Sequence, residues 1–172
     1  MDPPWIVRPA RPSDAALLAR AERAIAERPG FLVSQPHELV DERFAEKIAA
    51  LSRADNGCYL VAEADGAPIG HALLDPLPLA AVRHVTQLTV VAHPGWQGRG
   101  VGTALLAALI AWARQAPPVE KIELQVRATN TVAQALYRKL GFVDEGRRAR
   151  RLKLGDGDYL DDLSMGLWVG PK

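Results

Sequence analysis

The sequence predicts an α/β (α+β) protein with a mixed central sheet of about seven strands and four helices, and three observations carry that expectation. Short apolar or alternating runs, such as residues 59–63, 68–74 and 122–126, recur between segments of helical spacing. An Asp65-Gly66 pair between two of these runs is a strong hairpin signal. Residues 84–107, HVTQLTVVAHPGWQGRGVGTALLA, read as an apolar strand, a turn at Pro94-Gly95, a glycine loop and a helix.

Taken in order, residues 5–8 form a short first strand ending at Pro9. Ser13 or Asp14 then caps a helix to about residue 27, with Leu17, Leu18, Ala21 and Ile25 on its buried face, and Pro29-Gly30 stops it. Segment 31–37 has no helical period. A second helix spans 38–51, with Leu39, Phe44, Ile48 and Leu51 inward. Strands 59–63 and 68–74 flank the Asp-Gly turn, and beyond Pro76 and Pro78 comes the central strand, 83–92. The glycine loop opens a helix to about Gln115, closed by Pro117-Pro118. Residues 122–126 alternate as a strand with one better buried face. Thr129 or Asn130 caps the last helix, which ends at Gly141. A final hairpin pairs 142–154 with 159–169 across a Gly155-Asp156-Gly157-Asp158 turn.

With 172 residues and 48% hydrophobic content, the chain is expected to fold as one domain over 1–172, since no linker is visible. A net charge of +1 provides no global field to recruit nucleic acid or an acidic membrane. The basic run at 147–153 lacks interleaved aromatics and reads as a solvated strand end. One cysteine, Cys58, excludes an internal disulfide framework and a multi-cysteine zinc site, and no metal is expected. The N-terminal residues carry neither the basic region nor the apolar core of a secretory signal, and no 18-residue apolar run occurs. The expected location is the cytoplasm.

The loop carries the chemistry. The first N–H groups of a helix lack internal partners and its N-terminus is partially positive, so an anion is stabilised there. Gly98, Gly100 and Gly102 give GxGxG, which is neither the Rossmann GxGxxG nor a P-loop with its following Lys-Ser or Lys-Thr. A diphosphate cradle of another kind is implied.

Gln97 to Gly102 resembles the (Gln/Arg)xxGx(Gly/Ala) signature of the GCN5-related N-acetyltransferases, the GNAT superfamily. Asn130, Ala133, Tyr137 and Leu140-Gly141-Phe142 resemble that family's second motif, and the order of elements is similar to the GNAT fold over nearly the whole chain. The resemblance implies acetyl-CoA as acetyl donor. Its pantetheine arm would lie along the free edge of the central strand at Val90, Val91 and Ala92, and its pyrophosphate on the amides of Gln97, Gly98, Arg99, Gly100, Val101 and Gly102, with Arg99 adding charge. Asn130 would bind the pantetheine amide, and Tyr137 would protonate the departing thiolate.

Many members of the family place a base Glu on the central strand. Here the corresponding stretch offers Gln87, which cannot accept a proton, so His84 and a water chain compete for the role. The resemblance also makes Phe31, Gln35 and His37, in the loop between the first two helices, candidate substrate contacts. In the last hairpin, Tyr159, Asp161, Asp162 and Ser164 would close the acceptor site and favour a cationic amine. The implied activity is direct acetyl transfer to a primary amine of a small molecule: an amino acid, a polyamine or an amine antibiotic. A protein N-terminus or lysine is the alternative acceptor, and a non-catalytic acyl-CoA sensor the alternative class. Partners are thus the amine and acetyl-CoA, without nucleic acid or membrane, and a second copy as a homodimer.

Overall fold

Asp65 and Gly66 both adopt positive φ, 49° and 76°, and close a two-residue turn whose twist matches the strands on either side. That turn joins β2 (Cys58–Ala64) to β3 (Ala67–Pro76) in the computed structural model, which describes residues 4–116, 118–155 and 157–171. The other elements are β1 (Ile6–Pro9), α1 (Ala15–Ala26), α2 (Asp41–Leu51), β4 (Val85–Ala92), α3 (Val101–Ala113), β5 (Lys121–Arg127), α4 (Thr131–Lys139), β6 (Val143–Lys153) and β7 (Tyr159–Trp168). The strands form one mixed sheet in the order β1-β2-β3-β4-β5-β7-β6.

Side-chain alternation along β2 divides the interior in two. Cys58, Leu60 and Ala62 face the larger core with α3, whereas Tyr59 and Val61 face Leu18 of α1 and Ile48 and Leu51 of α2. α3 sits directly on the sheet because Gly70 leaves room: a Cβ there would come within 2.7 Å of Val101. Seating Val101, which is 1% exposed, fixes where the glycine loop ends and the helix begins.

The sheet parts in its middle. β4 pairs with β3 from Pro76↔Thr86 to Gly70↔Ala92. Its parallel pairing with β5 covers only Val85↔Lys121, Thr86↔Ile122 and Gln87↔Glu123. Beyond Gln87 the strands separate, and β5 turns to β7, which it pairs from Lys121 to Arg127.

Several boundaries differ from expectation for local reasons. Asp14 is the N-cap residue of α1 by position, but its side chain makes no cap hydrogen bond to that helix; the carboxylate accepts from the Arg11 amide at 2.7 Å and closes a separate 3-10 turn over Pro12–Asp14. The buried face of α1 is Ala15, Leu18 and Ala19, with Leu17 44% exposed, because packing on Tyr59 and Val61 sets the rotation. α2 starts at Asp41, since Pro36–Glu38 form their own 3-10 turn and Val40 is extended. β6 is exposed almost throughout, as an edge strand with a basic surface should be. Pro117 and Asp156, expected at a helix stop and a hairpin turn, and Met1 to Pro3 lie outside the described residues. Among the described residues no helix is long and apolar enough to cross a membrane.

Candidate active site

Where β4 and β5 part, two cavities open and share Val90, Val91, Asn130, Phe31 and Leu32. One, of about 650 Å³, runs past Ala92 to Pro94, Gly95 and Gln97 at the glycine loop. The other, of about 530 Å³, lies under the α1–α2 segment and is lined by Thr89, Gln125, Arg127, Tyr137 and Glu22, among others. Together they form one trench along the unpaired edge of β4. An extended chain laid in it can hydrogen-bond that edge as an added strand.

At the outer end the loop is held open by its glycines. Gly98 and Gly100 have φ of 71° and 87°, and a Cβ on Gly98, Gly100 or Gly102 would meet nothing within 4 Å. The first amides of α3 have no acceptor within the helix, and the space beside these glycines is open, which suits a pyrophosphate. Gln97 has only its backbone free to offer a ligand, because its side chain braces the turn: Nε2 donates to the Ala92 carbonyl and Oε1 accepts from the Gly95 amide, both at 3.1 Å. The Val101 side chain belongs to the core, so that residue too offers only its amide. Arg99 lies 5.0 Å from the Trp96 ring, itself edge-on to Trp5, and this holds a cation beside the loop.

At the inner end Tyr137 projects from α4 against Phe142, ring centroids 5.7 Å apart, and burial pushes its hydroxyl up to about 12. It therefore remains a proton donor across the neutral range. Asn130 caps α4, its Oδ1 accepting from the Ala133 amide at 3.1 Å. Only its Nδ2 remains to donate to a carbonyl in the trench.

A hydrogen-bonded chain that sequence reading missed reaches the inner cavity from behind. Glu22 Oε1 of α1 and His71 Nε2 share a hydrogen bond at 2.8 Å; His71 Nδ1 meets His93 Nε2 at 3.0 Å; and His93 Nδ1 donates to the Pro68 carbonyl at 3.0 Å. His71 is fully buried and His93 is 6% exposed. Burial first, then the neighbouring His71, push His93 down to about 4. These residues stand 49 and 22 positions apart, so no local spacing announces them.

Other expected residues fall elsewhere. His84 is not on the strand but in the turn before β4, its carbonyl accepting from the Glu120 and Lys121 amides, six residues or roughly 20 Å of strand from Val90. It does not line the inner cavity, a position that does not suit a base for a reaction there. Gln87 faces an adjoining 230 Å³ cavity that meets the inner one at Gln125. Phe31 is at the junction of both cavities, 55% exposed with Arg28 over its ring. Gln35 lines a separate 300 Å³ cavity and His37 is exposed, because the 3-10 turn at Pro36 swings them outward; Leu32, Val33, Ser34 and Glu38 line the inner cavity instead. Tyr159 is 49% exposed under Arg150 and Lys153. Asp161 is held by Arg147 and the Arg150 amide. Ser164 faces the adjoining cavity beside Gln87. Asp162, 1% exposed, pairs with Arg127 and so acts on the cavity only by positioning that guanidinium.

The family model described as the Acetyltransferase (GNAT) family matches residues 20–142. The L-amino acid N-acetyltransferase AaaT of Escherichia coli (strain K12) is 33% identical over 106 residues, 62% of this chain and 65% of that protein. The Aminoglycoside N(6')-acetyltransferase type 1 of Stenotrophomonas maltophilia is 30% identical over 148 residues, covering 82% of this chain and 88% of that one. The match thus spans slightly less than two thirds of AaaT and most of the aminoglycoside enzyme. Among solved structures, a GNAT superfamily phosphinothricin acetyltransferase from Sinorhizobium meliloti in complex with AcCoA superposes with a TM-score of 0.86 at 20% identity, over 98% of this chain and 90% of that one.

Proposed function

Because the chain belongs to the acetyltransferase (GNAT) family, we propose that it transfers the acetyl group of acetyl-CoA directly to the primary amine of a small, carboxylate-bearing molecule of the amino-acid type. The observation that carries the transferase reading is the parting of β4 from β5 after Gln87 and Glu123, with a trench along the freed edge running from the glycine loop to Tyr137. The pantetheine arm extends the sheet at Val90, Val91 and Ala92, the pyrophosphate takes the amides from Gln97 to Gly102, and Asn130 Nδ2 donates to a pantetheine carbonyl. The thioester then lies beside Tyr137. The amine nitrogen attacks the thioester carbonyl, the C–N bond forms, the C–S bond breaks, and the Tyr137 hydroxyl protonates the leaving thiolate.

The charge of the inner cavity supports the acceptor class. Lys47 and Arg127 line it paired with Asp75 and Asp162, and Arg43 lines it with no ion-pair partner among the described residues. Of its two carboxylates, Glu22 is bonded to His71 and Glu38 accepts from the Gln35 amide. A carboxylate on the acceptor gives Arg43 a partner, whereas a polyamine would bring further cations among three basic side chains.

A CoA-release assay on a panel of free amino acids, their amides, spermidine and an aminoglycoside tests both parts. Release should be fastest with a free amino acid and should fall when its carboxylate is amidated. Arg43→Ala should raise KM for the free acid by about tenfold or more, the scale of one charge-assisted hydrogen bond, and leave the amide unaffected. Fastest release with spermidine or the aminoglycoside would sink the acceptor assignment, and acetyl-CoA binding without release on any amine would sink the transferase.

A further inference from the structure

The Glu22–His71–His93 chain has a proton arithmetic that places the Nδ1 protons of both histidines and leaves one proton shared between His71 and Glu22. The Pro68 carbonyl can only accept, so His93 carries its proton on Nδ1; its Nε2 is then an acceptor, and His71 must donate from Nδ1. His71 Nε2 faces Glu22 Oε1 at 2.8 Å, a contact that requires one proton between them. Glu22 Oε2 takes no hydrogen bond from the described residues, and the side chain, 13% exposed, lines the cavity that also holds Tyr137.

We propose that Glu22 is the base of the reaction: its carboxylate, with the shared proton held on His71, takes the proton of the incoming ammonium at Oε2. This rests on the transferase reading above. The ammonium N–H bond breaks and leaves the lone pair that attacks the thioester; the C–N bond forms, the C–S bond breaks, Tyr137 protonates the thiolate, and the nitrogen's second proton restores the phenol. Glu22 then releases its proton to solvent, so one proton leaves for each acetyl group transferred. His71 and His93 are positioning residues. His71 anchors Oε1 and carries the compensating positive charge, and His93 with Pro68 fixes its tautomer.

Groups from several elements pack around this site. From β2, the Tyr59 ring lies 5.9 Å from that of His71, and burial followed by the charges of Glu22 and Asp14 holds its hydroxyl above the ordinary range, as a neutral phenol. Asp14 is itself paired with Arg8. From α2, Phe44 stands edge-on to His71, while Arg43 and Lys47 line the cavity, as do Glu38 before that helix and Arg127 opposite. β4 offers Val91, directly across from His71.

Two measurements test the assignment. In ¹⁵N NMR of the unliganded protein, both ring nitrogens of His71 should be protonated at neutral pH and Nε2 should lose its proton in Glu22→Gln; a neutral His71 beside a protonated Glu22 in the wild type overturns the proposal without any turnover. With the best amine of the panel, Glu22→Gln should lower kcat by about 10²-fold with acetyl-CoA affinity and Tm unchanged. Its kcat/KM should rise about tenfold per pH unit where the wild type is level, since only the pre-existing free amine then reacts. Glu22→Asp, which keeps charge and partner but withdraws the carboxylate by one methylene, should fall between the two with a level profile. A Glu22→Gln enzyme with wild-type kcat and profile overturns the base alone. A wild type that releases no CoA with any amine overturns the transferase reading and the base with it.

Discussion

Tyr137 lines the inner cavity, and its burial raises the hydroxyl to about 12, so the proposed donor to the thiolate stays protonated across the neutral range. Tyr137→Phe should keep acetyl-CoA affinity and Tm while lowering kcat by about 10²-fold; unchanged turnover would remove Tyr137 from the chemistry. His93 titrates in the opposite sense. Its folded value of about 4 lies below the ordinary 6.5, so the unfolded chain binds the proton first. The stability this gives is complete above about pH 6.5 and is lost as pH falls towards 4. Tm should therefore decline across that window, and His93→Gln should flatten the decline. An equal slope in the variant would place the acid sensitivity elsewhere.

The loop-helix element that opens α3 separates two effects of losing a glycine. Gly100 has a φ of 87°, so any side chain there strains the backbone by about 1–2 kcal/mol, and weaker binding would mix strain with crowding. Gly102 stands inside α3 at ordinary φ with empty space before it, and leucine is a good helix former. Gly102→Leu should leave Tm near wild type and weaken acetyl-CoA binding by about tenfold or more by calorimetry; unchanged affinity would move the pyrophosphate away from this helix. This element was legible in the sequence because glycine spacing and helical period are local signals, as was the Asp65-Gly66 hairpin. The same locality explains the misses. The rotation of α1, which buries Leu18 and exposes Leu17, is set by strand residues more than forty positions away. The swing of Gln35 and His37 out of the inner cavity follows from a 3-10 turn between two helices that the sequence reads as a plain loop.

Across the whole molecule, the proposed function depends on an interruption: three residue pairs join β4 to β5, and past them the halves of the sheet are held apart, with residues of α1, α2 and α4 lining the gap. The order of strands and the two motifs made this architecture readable from the chain. The depth at which each side chain lies along β4 was not, and this is why His84 stood as a candidate although it sits before the strand, at the end away from the trench. The Glu22–His71–His93 chain joins α1, β3 and the segment after β4, a juxtaposition that only the packing of α1 on the sheet creates. The central claim is that the freed edge of β4 receives acetyl-CoA, and a crystal structure of the protein with CoA tests it most directly. The account predicts pantetheine amides hydrogen-bonded to the backbone at Val90–Ala92, the pyrophosphate on the amides from Gln97 to Gly102, and the thiol beside Tyr137. CoA bound outside the trench, or bound with its thiol turned away from Tyr137, would contradict it.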